Sequence, residues 1–244
     1  MADASNKLET PRKPKTGKGV GTGRLIMQEI YARIREDILS CTLRPGEKIN
    51  INELAERHSV SLSAVREALS RLYSEELVEQ LPQKGYLVAA VDEDRFRQLV
   101  DARVEVECAC LRRAIQLGDV TWETNIIATQ YKMFRIDISL PDVPDRINPA
   151  WAAAHSEYHA ALVEACQNQW LLRFRRMLFE HSERYRRLVV PTQTKDRDIR
   201  GEHERLTEAT IDRDIALATK LMEEHLRATA QDTLAGYSSQ ELSD

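Results

Sequence analysis

Residues 51–72 carry two apolar stripes of helical spacing broken by three residues, and few folds can bury such a pattern. Ile51, Leu54 and Ala55 share one face of the first segment. Val65, Ala68, Leu69 and Leu72 recur at i, i+3, i+4 and i+7 in the second. Asn50 and Glu53 have the spacing of a capping box at the start of the first helix. Ser59-Val60-Ser61 is the turn, and Ser61 or Ser63 caps the second helix. Leu77–Leu81 and Tyr86–Val91 then read as two strands joined by Pro82-Gln83-Lys84-Gly85. Helix, turn, helix and hairpin in this order describe a winged helix-turn-helix over residues 25–91.

The outward face of the second helix carries Leu62, Ser63, Arg66 and Ser70. Small polar residues near a helix N-terminus let a phosphate approach the exposed N–H groups, whose partial positive charge favours it. Arg66, one turn further, reaches a base edge in the major groove, where guanine is the usual match. Lys84 and Gly85 sit at the hairpin tip, suited to a phosphate or the minor groove. Asn52, Ser61, Leu62, Ser63, Arg66, Lys84 and Gly85 are therefore the expected contacts to double-stranded DNA.

A formal net charge of −4 looks wrong for such a partner, but its distribution resolves this. Residues 1–91 carry 14 Lys or Arg against 12 Asp or Glu, and residues 92–244 carry 21 against 27. With so mild a basic excess, specific contacts and dimerisation must supply much of the affinity. No apolar run is long enough to span a bilayer and no signal peptide is visible. Cys41, Cys108, Cys110 and Cys166 lack the spacing of a zinc finger or disulfide framework, and read as reduced cysteines of a cytoplasmic protein. Residues 1–24, rich in Lys, Pro, Gly and Thr, read as a disordered tail in which Lys13, Lys15, Lys18 and Arg24 could touch phosphates. A first helix is expected from about Leu25 to Ser40, with Met27, Ile30, Ile34 and Ile38 inward.

From Asp92 onward there is almost no strand pattern. The chain reads as a mainly α protein whose residues 92–235 form an antiparallel bundle of six or seven helices, with a loop marked by Pro141, Pro144 and Pro149 and a tail over 236–244. His155 and His159 are i, i+4 neighbours on one helix face. His159 shares a stripe with Trp151, Leu162 and Cys166, His203 with Ile199 and Leu206, and His225 with Ala218, Leu221 and Met222. Three helices thus turn imidazoles inward, which suits Zn, Ni, Mn or Fe; four separate core histidines are the simpler alternative. Arg103 lies on the stripe of Phe96, Leu99, Val106 and Cys110. A buried guanidinium needs an anion, either a ligand carboxylate or Glu107 one turn on. Arg184-Tyr185-Arg186 is a weaker candidate for the same task, or a solvated or dimer-contact face. His58 and His181 are taken as structural.

These residues resemble the GntR family of bacterial transcription regulators, and its FadR subgroup in particular. The resemblance rests on Leu43-Arg44-Pro45-Gly46, Asn52-Glu53-Leu54-Ala55, Val65-Arg66-Glu67-Ala68-Leu69 and Gly85-Tyr86 in the first part. In the second it rests on Arg103-Val104-Glu105-Val106-Glu107, Tyr158-His159-Ala160-Ala161-Leu162, Glu202-His203 and His225-Leu226. It implies an all-helical effector-binding (FCD) domain in which a divalent metal (Zn, Ni or Mn) is held by an Asp or Asn, a His four residues later and two further His. His159, His203 and His225 match the three histidines, while His155 stands where the carboxylate or amide usually is. Arg103 matches a position that faces an organic-acid effector. Leu62 stands where the family often has Arg or Thr, which implies a different operator or a contact to a thymine methyl.

The expectation is a homodimeric, cytoplasmic, ligand-responsive repressor on a palindromic operator, released by a small carboxylate held by the metal and Arg103. The rival is a metal-dependent enzyme built on the histidines. His155-Ser156-Glu157-Tyr158-His159 has its Glu at the wrong offset for a zinc protease, and no phosphate loop or nucleophile elbow appears.

Overall fold

A computed structural model describes residues 19–140, 142–188 and 197–241. Helix α1 (Gly19–Leu39) is followed by strand β1 (Lys48–Ile49), α2 (Ile51–His58), α3 (Leu62–Ser74), β2 (Val78–Leu81) and β3 (Gly85–Val88). The capping chemistry sets these boundaries. Asn50 Oδ1 accepts from the N–H groups of Asn52 and Glu53 at 3.1 and 3.3 Å, and Ser61 Oγ accepts from that of Ala64 at 3.3 Å. Glu53 pairs with Arg57 one turn on. Between the caps, Ser59 closes α2 in the left-handed region at φ 52°. Ile30, Ile34 and Ile38 of α1 pack on Val65, Ala68, Leu69 and Leu72 of α3, all essentially inaccessible. Burial on that level contributes about 1.5–3 kcal/mol for each large apolar side chain.

The wing is three-stranded and antiparallel in the order β1-β3-β2, not two-stranded as its sequence suggests. Residues Lys48 and Ile49 pair with Leu87 and Tyr86, and a strand of two residues is too short to show alternation. At the tip, Leu81 faces Gly85, whose φ of +97° only glycine adopts readily.

The second part comprises α4 (Glu93–Leu117), α5 (Val120–Phe134), a hairpin of β4 (Ser139–Leu140) and β5 (Val143–Ile147), α6 (Pro149–Val163), a 3₁₀ turn at Glu164–Cys166, α7 (Gln169–Leu188), α8 (Ile199–Ile211) and α9 (Ile215–Glu241). Helix α4 lies against α7 and α9, α5 against α6, and α8 against α9. Their core includes Leu111, Ile115, Trp122, Ile126, Tyr158, Leu162 and Met222. Trp122 resolves its one polar atom by donating to the Ala161 carbonyl at 2.8 Å. The hairpin is a departure from the expected loop. Its first strand, like the wing's, is too short to show a period, and Pro144 in the second reads as a loop signal. Helix α1 begins at Gly19, inside the stretch expected to be disordered, and α9 continues to Glu241, past its expected end near Leu234. Lys13, Lys15 and Lys18 lie outside the described residues. Among the described residues no helix is long and apolar enough to cross a membrane.

Helix α7 joins the two parts. Arg35 of α1 meets Glu75 Oε2 at 3.0 Å and also donates to Glu180 of α7. Tyr31 donates to the same Glu75 carboxylate, and His181 Nε2 meets the Glu75 carbonyl at 3.1 Å. Arg184 donates to the Ala89 carbonyl and Arg187 to that of Leu39.

Candidate functional site

Two surfaces carry chemistry, one on each part of the chain. On α3, Leu62, Ser63, Arg66 and Ser70 are all exposed, as are Asn52 on α2 and Lys84 at the wing tip; Gly85 beside it is half-buried. Arg66 has no hydrogen-bond or ion-pair partner among the described residues. Ser61 is committed to its cap and to Ser63 Oγ at 2.9 Å. Leu62 is 41% exposed, an apolar side chain at the mouth of an otherwise polar face. The α3 face, the α2 edge and the wing tip thus offer the helix end, guanidinium and ammonium groups that phosphate and base contacts use.

The second surface is interior. His155 and His159 of α6, His203 of α8 and His225 of α9 are each at least nine-tenths buried, and one ring nitrogen from each lies within 4.8 Å of all the others. Hydrogen bonding fixes two of the tautomers. His203 Nδ1 donates to the Ile199 carbonyl at 2.7 Å, which leaves Nε2 as a lone pair that is buried and unpartnered. His225 Nδ1 donates to Glu202 Oε2 at 2.8 Å, and Glu202 is in turn held by Arg197. His155 and His159 meet through their Nε2 atoms at 3.0 Å. Burial drives all four imidazoles to the neutral form, His203 down to about 3. Glu202 is held at about 2: burial pushes it up, but its bonds to His225 and Arg197 prevail.

Four neutral imidazoles whose ring nitrogens lie within 4.8 Å of one another, and a carboxylate behind one of them, form the donor set and support that a divalent metal uses. Four unconnected core histidines would not orphan a buried Nε2 at the centre. The described residues therefore fit a metal, which His155, His159, His203 and His225 would hold.

Beside the histidines lies a layer of buried charge. Arg103 of α4 donates through Nη1 to Ser182 of α7, while its Nε, 3.7 Å from Glu107, has no hydrogen bond. Arg175 of α7 takes both oxygens of Glu107 on its Nε, at 3.0 and 2.9 Å, and leaves Nη2 unpartnered. Both guanidiniums lie 4.8 Å from the Phe179 ring, which is 6.3 Å from that of His159. Burial pushes Arg103 down from its ordinary value, against the pull of Glu107 and Glu183. The internal pair weighed for Arg103 therefore exists, but Arg175 is the closer partner of Glu107. Arg175, Phe179, Glu183 and Arg186 line a cleft of about 1100 Å³ together with Arg35 and Glu36 of α1.

Sequence reasoning overlooked Arg175 and Glu202. Arg175 is one of six arginines on α7 with nothing to single it out, whereas Glu202 was signalled by its place beside His203. The Arg184-Tyr185-Arg186 face is not solvated: Arg184 is buried, Tyr185 stacks on Phe96 at 4.4 Å, and Arg186 lies over Trp151, which stacks on His155. His181 serves the joint between the parts.

Residues 26–88 match the family model described as bacterial regulatory proteins, gntR family, and residues 98–228 match the FCD domain. Among relatives, the uncharacterized HTH-type transcriptional regulator BphR of Paraburkholderia xenovorans (strain LB400) is 31% identical over 206 residues, 84% of each chain. The HTH-type transcriptional repressor GlaR of Escherichia coli (strain K12) is 32% identical over 201 residues, 80% of this chain and 90% of that one. Among solved structures, E. coli McbR/YncC superposes with a TM-score of 0.71 at 15% identity, covering 87% of this chain and 98% of that one, which shows a shared fold.

Proposed function

This chain belongs to the GntR family of bacterial regulatory proteins, with an FCD domain behind its DNA-binding domain, and we propose that it is a FadR-subgroup repressor released from its operator by a small carboxylate. It is a ligand-responsive, DNA-binding transcription regulator; the family and the relatives are regulators, and the enzyme reading falls with them. Residues 25–91 are the reading unit and 92–235 the sensing unit. The unit works in the cytoplasm as a homodimer, so that two α3 helices enter successive major grooves of a palindrome. Asn52, Ser61, Ser63, Lys84 and Gly85 set the docking on the backbone, while Arg66 and Leu62 read bases. The relative named a repressor supports that sign of regulation.

The observation that carries the sensing role is the convergence of four neutral imidazole nitrogens within 4.8 Å, beside unsatisfied guanidinium N–H groups. We assign a divalent metal, Zn, Ni or Mn, to His155, His159, His203 and His225. When bound it supplies a Lewis-acidic centre for one carboxylate group. Arg103 and Arg175 orient that ligand with N–H groups that have no other acceptor. Glu202 keeps the proton of His225 on Nδ1, so that Nε2 faces the centre.

The test is the double variant His159→Ala, His203→Ala. Metal analysis is expected to show loss of the ion, and operator binding is expected to persist without response to carboxylate. Near-normal metal content in that variant would contradict the site assignment.

A further inference from the structure

Helix α5 is apolar on two faces, and the fold of the chain covers one of them. Trp122, Ile126 and Met133 are buried on the side that packs on α6 and α8. On the other side Val120 is 74% exposed, Ile127 51% and Tyr131 66%, with Thr124 exposed between them. Thr121 and Ala128, also exposed, widen the stripe, and none of these residues is charged. Only Glu123 and Lys132 of the fifteen residues of α5 carry charge, in a chain that is 30% charged. A helix that is apolar all round is ordinarily buried all round, and an exposed apolar stripe marks a contact with another protein surface.

The charges at the rim of this stripe are already answered within the chain. Glu123 pairs with Arg213, Lys132 with Glu157, and Asn125 donates to Glu164 at 2.7 Å. The described residues of the face thus offer no free cation to DNA or to an anionic membrane. An identical copy of the face would meet it with no like charges opposed. The spacing suits that partner. Val120, Thr124, Ile127 and Tyr131 are separated by four, three and four residues, the alternation that makes a seam between two helices. That order reads the same in both directions. In an antiparallel pair about a two-fold axis, Val120 falls opposite the partner's Tyr131 and Thr124 opposite the partner's Ile127, and each contact occurs twice. Each contact sets a smaller side chain against a larger one, so the two copies interdigitate along a seam of about 16 Å.

We propose that α5 joins two copies of this chain, its outer face packed antiparallel on the same face of the partner. The proposal deepens the homodimer named above and rests on self-association of the chain, not on the metal or the carboxylate. Tyr131 and Ile127 are its anchors: they bring the most apolar surface to the seam, and aromatic residues commonly dominate such contacts.

The experiment is sedimentation velocity of the full chain at micromolar concentration. The wild type is expected as an assembly of 28.0 kDa chains. Ile127→Lys and Thr124→Glu each place a charge in the seam, and each is expected to halve the sedimenting mass. Both positions face outward, and circular dichroism checks that each variant is folded. The double variant Thr124→Glu, Ile127→Lys is expected to recover the wild-type mass, because each introduced ammonium then faces an introduced carboxylate of the partner. A wild type that sediments as a single chain would overturn this proposal and the homodimer alike. A wild-type assembly whose mass neither single variant moves would overturn the α5 interface and leave the homodimer standing on another face. Loss of mass in both single variants with no recovery in the double one would overturn the antiparallel pairing.

Discussion

At His203 the fold leaves a nitrogen lone pair in the dry interior with nothing to receive it, and the neighbouring residues show that this is arranged. The Ile199 carbonyl takes the proton on Nδ1, and Glu202 does the same for His225. A partner behind a ligating imidazole fixes its orientation and raises its basicity, and losing one commonly costs about 10–100-fold in metal affinity. Glu202→Gln is therefore expected to weaken metal binding by about that factor with all four imidazoles intact. Competition against a chelator measures it, and an unchanged affinity would show that Glu202 serves only Arg197. The same burial sets a pH dependence. The buried imidazoles refuse protons that the unfolded chain accepts at its ordinary value of 6.5, and His203 does so down to about 3. Protein stripped of metal is then fully stable above pH 6.5 and loses stability as pH falls through that value toward 3. Thermal melting of the chelated protein between neutral and mildly acidic pH checks this; a flat profile would contradict it.

Helix α7 serves both units, and its two faces divide the work. Arg175, Phe179, Ser182 and Glu183 face the buried charge layer and the cleft beside it, while Glu180, His181, Arg184 and Arg187 grip the DNA-binding part. Glu75, where Arg35 and His181 converge, is the residue that ends the recognition helix α3. In the proposed function, a ligand-driven shift of α7 would reach the C-terminus of α3 through Arg35 and His181. Glu180→Gln is expected to leave carboxylate affinity in place while shrinking the effect of carboxylate on operator affinity, which in such systems is roughly 5–150-fold. Full coupling in that variant would remove α7 from this role. On α3 itself, Arg66→Ala is expected to cost about 1–3 kcal/mol of operator discrimination, read as weaker specific binding at fixed salt. Helices of this length announced themselves, since their apolar stripes repeat over several turns. Strands β1 and β4 did not, because two residues carry no period, and β5 did not because Pro144 within it reads as a loop signal. The inward turn of His155, His159, His203 and His225 was legible from their stripes. Arg175 was not, because nothing in its neighbourhood on α7 tells which arginine will face Glu107.

Taken whole, the molecule separates a mildly basic reading unit from an acidic sensing unit, and so relies on shape and specific contacts where a strongly basic protein relies on charge. In the proposed homodimer, two-fold use of a palindrome would supply affinity that one mildly basic unit lacks. The outward face of α3 was legible in its motifs, because Asn50 and Ser61 mark the helix starts and so fix which residues point outward. The coupling through Glu75, Arg35 and Glu180 joins positions far apart in the chain, and only tertiary structure brings them together. The claim on which everything else depends is that this chain recognises a defined duplex sequence. It is tested by selecting bound molecules from a random duplex pool at stated salt, with metal supplied. The account predicts enrichment of a two-fold symmetric consensus whose selection weakens when Arg66 is replaced by Ala; recovery of no preferred sequence, in protein shown to be folded and metal-loaded, would contradict it.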